Sequence, residues 1–72
     1  MANSEREAEL AARLTERQLK MLHWAKEGKT NSVIAMIIGW SHDTVKKDLQ
    51  KAYKILGVGN RMEAVNCLRR LS

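Results

Sequence analysis

The segment from residue 41 to residue 56 carries the side chains with the clearest capacity to bind a ligand. If this segment is helical, the side opposite its apolar positions presents His42, Asp43, Lys46, Lys47, Gln50, Lys51 and Lys54. Lysine ammonium groups bind phosphates and guanine acceptors, and a glutamine amide matches the edge of adenine. An α-helix fits the major groove of DNA, usually with its N-terminal half at the bases. A lysine-rich face is also common on helices that contact only water, so residue types alone leave both interpretations open.

The same segment has the most regular helical periodicity in the chain. Its apolar residues recur at i, i+4, i+7 and i+11, and they are Val45, Leu49, Ala52 and Leu56. This spacing places them on one side of a helix. Ser41 is suited to cap the N-terminus of that helix, and Gly57 is suited to end it in a left-handed conformation. The pattern therefore predicts a helix with one buried side and one basic side.

Capping boxes predict where three further helices begin. Ser4–Glu7 predicts a short first helix that continues through Arg13, and Thr15–Gln18 predicts a second helix that stops at Gly28. Asn60–Glu63 predicts the last helix. The packed side of the second helix is predicted to contain Leu19, Leu22 and either Met21 or Ala25. The apolar face of the last helix is predicted to contain Ala64, Val65, Leu68 and Leu71.

One more short helix fits between the second helix and the basic helix. Thr30 or Asn31 is predicted to cap it, and Gly39 is predicted to end it. The connection to the basic helix through Gly39, Trp40 and Ser41 is short and contains a glycine that can reverse the chain. These features predict a helix-turn-helix. A generic helical hairpin contains the same elements, so the connection alone does not decide between the two.

Composition favours one small all-α domain. The chain has 72 residues, of which 44% are hydrophobic, and it contains no proline and no phenylalanine. This apolar content is normal for a globular domain, and little β-branched alternation is present to suggest strands. The longest apolar run, at residues 33–38, is far shorter than a membrane span requires, and the polar N-terminus is unlike a signal peptide. We therefore expect a cytoplasmic protein without a membrane segment.

The charge distribution points to a polyanionic partner. The net charge is +5, and residues 41–72 contain seven Lys or Arg against three Asp or Glu, whereas residues 1–40 contain six against five. A local excess of positive charge is the electrostatic requirement for binding nucleic acid.

Residues suited to catalysis or metal binding are not grouped in this sequence. The single cysteine, Cys67, has no partner within the chain for a disulfide, and its spacing to His23 and His42 is not that of metal ligands. No nucleophile–base set or pair of carboxylates is recognisable. We expect no enzymatic activity, no cofactor and no metal.

Short segments with a fixed order cover most of residues 14–68. They are Leu14-Thr15-x-Arg17, Leu22-x-Trp24, Gly28-Lys29-Thr30-Asn31, Ile34-Ala35, Ser41-x-x-Thr44-Val45-Lys46 and Leu56-Gly57-Val58-x-Asn60-Arg61-x-x-Ala64-Val65. In this order and spacing the sequence resembles the LuxR/FixJ (GerE-like) family of bacterial transcription regulators, and most closely its quorum-sensing branch. Residues 14–72 would form the family domain, and residues 1–13 an extension or a short helix.

The resemblance implies a tetrahelical helix-turn-helix domain that places the helix from Ser41 in the major groove of double-stranded DNA. The residues that would contact DNA are Thr30, Asn31, His42, Thr44, Lys46, Lys47, Gln50, Lys51 and Lys54. Among them, Lys46, Lys47 and Gln50 would face the groove, and Thr44 would contact a phosphate. The last helix would form a homodimer through Asn66, Cys67, Arg70 and Leu71. The target would then be an inverted repeat with half-sites about one helical turn apart.

Several positions depart from the pattern usual in this family. The residues that differ are Lys20, Lys26, Val33, Asp48 and Ile55. Lys20 replaces an acidic residue and Asp48 replaces a histidine, so the two are predicted to form a new ion pair. Val33 and Ile55 are predicted to exchange an ion pair for an apolar contact. Asp43 and Asp48 also add negative charge to the helix that should face phosphate.

Two functions from different classes fit the sequence. The first is a sequence-specific transcription regulator that binds DNA as a dimer. The alternative is a LuxR-like interaction module that pairs with a larger regulator of the same family and inhibits it, since the chain contains no signal-binding or receiver domain. The chain is also compatible with a piece of a longer regulator.

Overall fold

The computed structural model describes residues 2–71, with side chains from Glu5 to Leu71. Within this range the chain forms five helices and no strand. The helices are α1 (Ala2–Ala11), α2 (Glu16–Lys26), α3 (Asn31–Ile38), α4 (His42–Leu56) and α5 (Arg61–Leu71). The predicted all-α class is confirmed, and the short additional N-terminal helix is present as α1.

Side-chain caps fix the start of α2, α3 and α4 as the sequence predicts. Thr15 forms a complete capping box with Gln18, because each side chain accepts a hydrogen bond from the backbone N–H of the other residue at 3.0 Å. Thr30 caps α3 through a bond from the Val33 N–H at 3.3 Å. Ser41 caps α4 through a bond from the Thr44 N–H at 3.2 Å. Each cap satisfies a backbone donor that the first helical turn leaves without an acceptor.

The other two predicted capping boxes differ from the expectation. The first helix already begins at Ala2 and ends at Ala11, so Ser4 lies inside it and does not cap it. The side chain of Asn60 accepts from the Glu63 N–H at 2.9 Å as predicted. In a standard capping box the Glu63 carboxylate would accept from the N–H of Asn60 itself. It accepts instead from the N–H of Gly59, one residue earlier, at 2.7 Å.

The turn between α3 and α4 is tight because Gly39 adopts a left-handed conformation with φ +84°. The N–H groups of Gly39 and Trp40 both donate to the Ala35 carbonyl, at 2.8 and 3.0 Å. These bonds satisfy the end of α3 and let α4 begin at His42. The short connection gives the helix-turn-helix arrangement that the sequence predicted.

A single core joins the helices. Its buried members are Leu14, Met21, Leu22, Ala25, Ile34, Ala35, Val45, Leu49, Ala52, Leu56, Ala64 and Cys67. All four residues of the apolar stripe on α4 belong to it, which confirms the prediction for that helix. On α2 the buried side is Met21, Leu22 and Ala25, whereas Leu19 is 42% exposed. Leu19 was wrongly assigned to the packed side. Met21, Ala25 and Leu22 span about 100° around the helix, and Leu19 lies about 60° beyond Leu22 and about 160° from Met21.

The N-terminal helix packs on α4 and α5. Leu10 and Ala11 rest against the core, and the Glu7 carboxylate forms an ion pair with Arg70 near the end of α5, with a shortest N–O distance of 2.5 Å. None of the described helices combines the length and apolar content needed to cross a membrane.

Candidate nucleic-acid interface

The outer side of α4 brings together most of the residues predicted to contact DNA. His42, Thr44, Lys46, Lys47, Gln50, Lys51 and Lys54 are all exposed. They are held in place from behind, because Val45, Leu49 and Ala52 on the opposite side of the helix are at most 1% exposed. A rigid helix therefore presents four lysines and a glutamine to the solvent along one face. Such a face can bind phosphates and hydrogen-bond to base edges.

The first turn of α4 is ordered by a network of hydroxyl groups. The Ser41 and Thr44 hydroxyl oxygens lie 2.8 Å apart and share a hydrogen bond, while the Thr44 N–H donates to Ser41. Both residues remain exposed. The Thr44 hydroxyl is thus fixed at the entry of the helix, where its remaining hydrogen-bonding capacity faces outward.

The two aspartates of α4 have different surroundings. Asp43 is exposed in the first turn, where a negative side chain interacts favourably with the helix dipole. Asp48 is half-buried, and its Oδ1 accepts a hydrogen bond from the Gln18 side-chain amide at 3.2 Å. The predicted pair between Lys20 and Asp48 is therefore wrong: the partner of Asp48 on α2 is Gln18, which lies nearer to the core.

Gln18 supports α4 from behind, although its sequence pattern predicts only one half of a capping box. It is 5% exposed and is the one buried polar or charged residue among the side chains described. Its Oε1 accepts from the Thr15 N–H, and its Nε2 donates to Asp48. The side chain thus connects the first turn of α2 to the middle of α4. Only a contact across 30 residues reveals this role, and no local pattern encodes it.

The N-terminus of α3, where Thr30 and Asn31 were predicted to contact DNA, is braced by α5. The Asn31 Oδ1 accepts from the Arg61 guanidinium at 3.2 Å, so this side-chain oxygen is already occupied. Arg61 also donates to the backbone carbonyls of Lys29 and, at 3.4 Å, of Ala25. Thr30 is exposed beside this contact. Arg61 was part of the Asn60-Arg61 motif, but its partners could not be read from the sequence.

The turn residue Trp40 is half-buried against the core and covered by a cation. The guanidinium carbon of Arg17 lies 4.2 Å from the centre of the Trp40 ring, which is a cation–π contact. The interaction ties the start of α2 to the turn that precedes α4. Trp40 therefore acts as a packing residue of the helix-turn-helix.

The residues predicted to form a dimer surface on α5 do not all reach the surface. Asn66 and Arg70 are exposed and Leu71 is half-buried. Cys67 is 0% exposed and belongs to the core, so its side chain does not reach the surface of the single chain. Burial raises the pKa of the Cys67 thiol above its ordinary value. The hydrogen bonds from Arg70 hold the pKa of Glu7 below its ordinary value.

Nothing in the described part of the chain forms a metal site, since no group of three or more His, Cys, Asp or Glu residues is positioned to hold an ion.

Comparison with known proteins assigns the domain. Residues 12–68 match the profile of the family described as bacterial regulatory proteins, luxR family. The match begins directly after α1, which ends at Ala11. It therefore contains the whole of α2, α3 and α4 and most of α5. No solved structure matches the chain at a comparable level of significance.

Curated relatives align with the same region. The chain is 43% identical over 60 residues to the transcriptional activator protein VanR of Vibrio anguillarum, an alignment that covers 83% of this chain and 25% of VanR. It is 40% identical over 52 residues to the transcriptional activator protein AhyR of Aeromonas hydrophila, covering 72% and 20% of the two chains. It is 41% identical over 51 residues to the transcriptional activator protein ExpR of Dickeya dadantii, covering 71% and 20%. The aligned part is thus a quarter or less of each relative's length.

Proposed function

The chain belongs to the luxR family of bacterial regulatory proteins, and we propose that it is a sequence-specific regulator of transcription that reads the major groove of DNA with α4. The observation that carries this proposal is the two-sided character of α4. One side is locked into the core, and the other presents only exposed polar residues, among them Lys46, Lys47, Lys51 and Lys54. The names of the relatives, all transcriptional activators, agree with this function.

The roles of individual side chains follow from their chemistry and from their position along α4. Lys46, Lys47 and Gln50 lie in its N-terminal half and are proposed to reach base edges. Lys51 and Lys54 follow toward the C-terminus and are proposed to bind phosphates, as is His42 at the start of the helix. Such phosphate contacts fix the register of the protein on the duplex without carrying sequence information.

Two helix starts supply further phosphate contacts in this proposal. The Thr44 hydroxyl is exposed and ordered by Ser41. At α3, Thr30 remains exposed, and backbone N–H groups of the first turn are suited to an anion. The side-chain oxygen of Asn31 is engaged by Arg61, so Asn31 is proposed to contribute its backbone and its side-chain amide.

Pairing of two copies through α5 is the proposed arrangement on an inverted repeat. The exposed residues Asn66 and Arg70 and the half-buried Leu71 are available for a two-fold contact. A symmetric dimer would place the two α4 helices in successive major grooves, about one helical turn apart. Sedimentation of the chain with a palindromic duplex and with a half-site duplex would measure how many copies of the chain bind each duplex. We expect two copies on the palindromic duplex and one on the half-site duplex.

Affinity measured against salt concentration tests DNA binding. The wild-type chain should bind a duplex with a log–log slope of several units, because bound lysines displace counterions. Lys51→Ala/Lys54→Ala should weaken binding and lower the slope by about one for each phosphate contact removed, whereas Lys46→Ala/Lys47→Ala should weaken binding most to the sequence that the wild-type chain selects. Arg13→Ala/Lys20→Ala is the matched control, since it also removes two positive charges from exposed positions, both outside α4. It should leave the slope unchanged.

The same variants separate the two classes of function. Absence of salt-dependent binding to any duplex would overturn the proposal. If Lys46→Ala/Lys47→Ala regulates as the wild type does while Asn66→Ala/Arg70→Ala is inactive, the chain acts by pairing with another regulator.

A further inference from the structure

The polar contact between α2 and α4 has a consequence for DNA reading. We propose that Gln18 is a positioning residue for α4: its hydrogen bond to Asp48 sets the rotation of α4 about its own axis and turns the Asp48 carboxylate away from the groove-facing side. This inference rests on the proposed role of α4 in DNA binding. It assigns a purpose to the position of Asp48 beside α2.

The geometry makes Gln18 a specific connection and not a general packing contact. The amide is almost fully buried, with 5% of the residue exposed. Its oxygen is engaged by the N-cap of its own helix, and its nitrogen is engaged by α4. Its oxygen is fixed by the Thr15 N–H, so the direction in which its N–H points is fixed as well. Among the described residues, no buried side-chain nitrogen or oxygen is left without a hydrogen bond. Rotation of α4 would leave the Gln18 amide donor unpaired in a buried place, which is costly.

The apolar stripe alone does not supply this constraint. Val45, Leu49 and Ala52 define which side of α4 is buried, but apolar contacts are non-directional and tolerate small rotations. The Asp48 side chain lies at the border between that stripe and the exposed lysines, about 100° around the helix from Lys47. A hydrogen bond at this border fixes the angle at which Lys47 and the other outer side chains project. It also keeps the Asp48 charge directed toward α2.

The expected signature is a loss of discrimination between DNA sequences, because base contacts require accurate geometry while phosphate contacts are sequence-independent. A variant that is only less stable would lose both kinds of binding in proportion to the unfolded fraction. The measured quantity is therefore the ratio of affinities for two duplexes, determined well below the unfolding temperature. One duplex is selected by the wild-type chain from a random library, and the other is the same sequence scrambled.

A donor–acceptor exchange provides the matched variants. Gln18→Glu keeps the oxygen that accepts from Thr15, since Glu also serves at this position of a capping box, but it places a carboxylate opposite Asp48. Gln18→Glu/Asp48→Asn restores the bond in the reverse direction, with the Asn amide as donor. The double variant also has the net charge of the wild type. Asp48→Ala removes the acceptor without adding repulsion and serves if Gln18→Glu does not fold.

We expect Gln18→Glu to lower the affinity ratio by about tenfold, the size of one lost base contact, and Asp48→Ala to lower it by a smaller factor. Gln18→Glu/Asp48→Asn should restore the ratio to within about threefold of wild type, an allowance for imperfect geometry. Folded Gln18→Glu with an unchanged ratio, or an unrestored double variant, would overturn the proposal. If the wild-type chain binds neither duplex, the proposed function fails and this inference fails with it. Wild-type binding with an unchanged ratio in Gln18→Glu refutes the positioning role alone.

Discussion

The two ends of the molecule are held by different kinds of interaction. The α3–α4 unit is defined by local caps at Thr30 and Ser41, a left-handed Gly39 and a fully buried stripe on α4. The α1–α5 end is held by Leu10 and Ala11 at the border of the core and by an ion pair whose Arg70 side chain is 56% exposed. Surface ion pairs contribute little to stability, whereas burial of a large apolar side chain contributes about 1.5–3 kcal/mol.

This difference distinguishes the firmly held helix α4 from the peripheral helix α1. The α4 face proposed to bind DNA is held in position by the buried stripe on the other side of the same helix, which is part of the core. The helix α1, by contrast, lies outside the matched family region and contacts the same helix, α5, that is proposed to pair two copies. We therefore expect global unfolding from changes in the buried stripe of α4 and local effects from changes in α1.

The largest effect is expected from removing a core side chain of α4. Leu49→Ala should lower the free energy of unfolding by about 2–5 kcal/mol, because Leu49 is 1% exposed and its loss leaves a cavity. Leu10→Ala in α1 is the matched control and should cost less than half as much, since Leu10 is half-buried. Urea denaturation followed by circular dichroism measures both. If both variants lose the same free energy of unfolding, the α1–α5 end contributes to stability as much as the α3–α4 unit does, which contradicts the expected difference.

The turn of the helix-turn-helix gives the next largest effect. Gly39→Ala should destabilise the fold by about 1–2 kcal/mol, because a Cβ strains a backbone with φ +84° although the space around it is open. Gly59→Ala is the control: its φ is not in the left-handed region, and the added Cβ would meet only the flexible Glu63 carboxylate, at 3.5 Å. Thermal unfolding of the two variants measures the contrast. A loss at Gly59 as large as that at Gly39 would contradict this explanation.

A smaller effect is expected at the cap of α4. Ser41→Ala should cost about 1 kcal/mol, since the Thr44 N–H loses its acceptor. Ser32→Ala changes the same residue type in the exposed first turn of α3 and should change stability by less than about 0.5 kcal/mol. Denaturation midpoints at constant m-value give both numbers. If Ser41→Ala is neutral, the hydroxyl network does not fix the start of α4.

The smallest effect concerns the ion pair between α1 and α5. The pKa of Glu7 is lowered in the folded chain from its ordinary value of 4.5 by the hydrogen bonds from Arg70, so its stabilising contribution is present above pH 4.5 and is lost as pH falls through the lower folded value. Glu7→Gln should therefore have a lower Tm than wild type at pH 7. The difference should disappear in acid. A difference in Tm that is constant with pH would mean that the Glu7 charge has no part in holding α1.

Local signals in the sequence predicted most of the fold and the exposed basic side of α4. The caps at Thr15, Thr30 and Ser41 depend on residues three positions apart, and the stripe of α4 depends on helical periodicity. Both can be read from residue order. Family resemblance added the assignment of α4 to the major groove.

The contacts that were missed or misassigned join residues far apart in sequence. Gln18 and Asp48 are separated by 30 residues, Arg61 and Lys29 by 32, and Glu7 and Arg70 by 63. Such partners depend on how the helices pack, and the polar residues involved have no periodicity of their own. The burial of Cys67 also depends on how the helices pack, since Cys67 belongs to their common core.

The most direct test of the account is nuclear magnetic resonance of the ¹⁵N-labelled chain titrated with the duplex that it selects from a random library. We expect the largest chemical-shift changes at Lys46, Lys47 and Gln50 and at the N-terminus of α3. The backbone of the buried stripe should keep its helical shifts. Changes confined to α5, with α4 unaffected, would contradict the claim that α4 reads DNA.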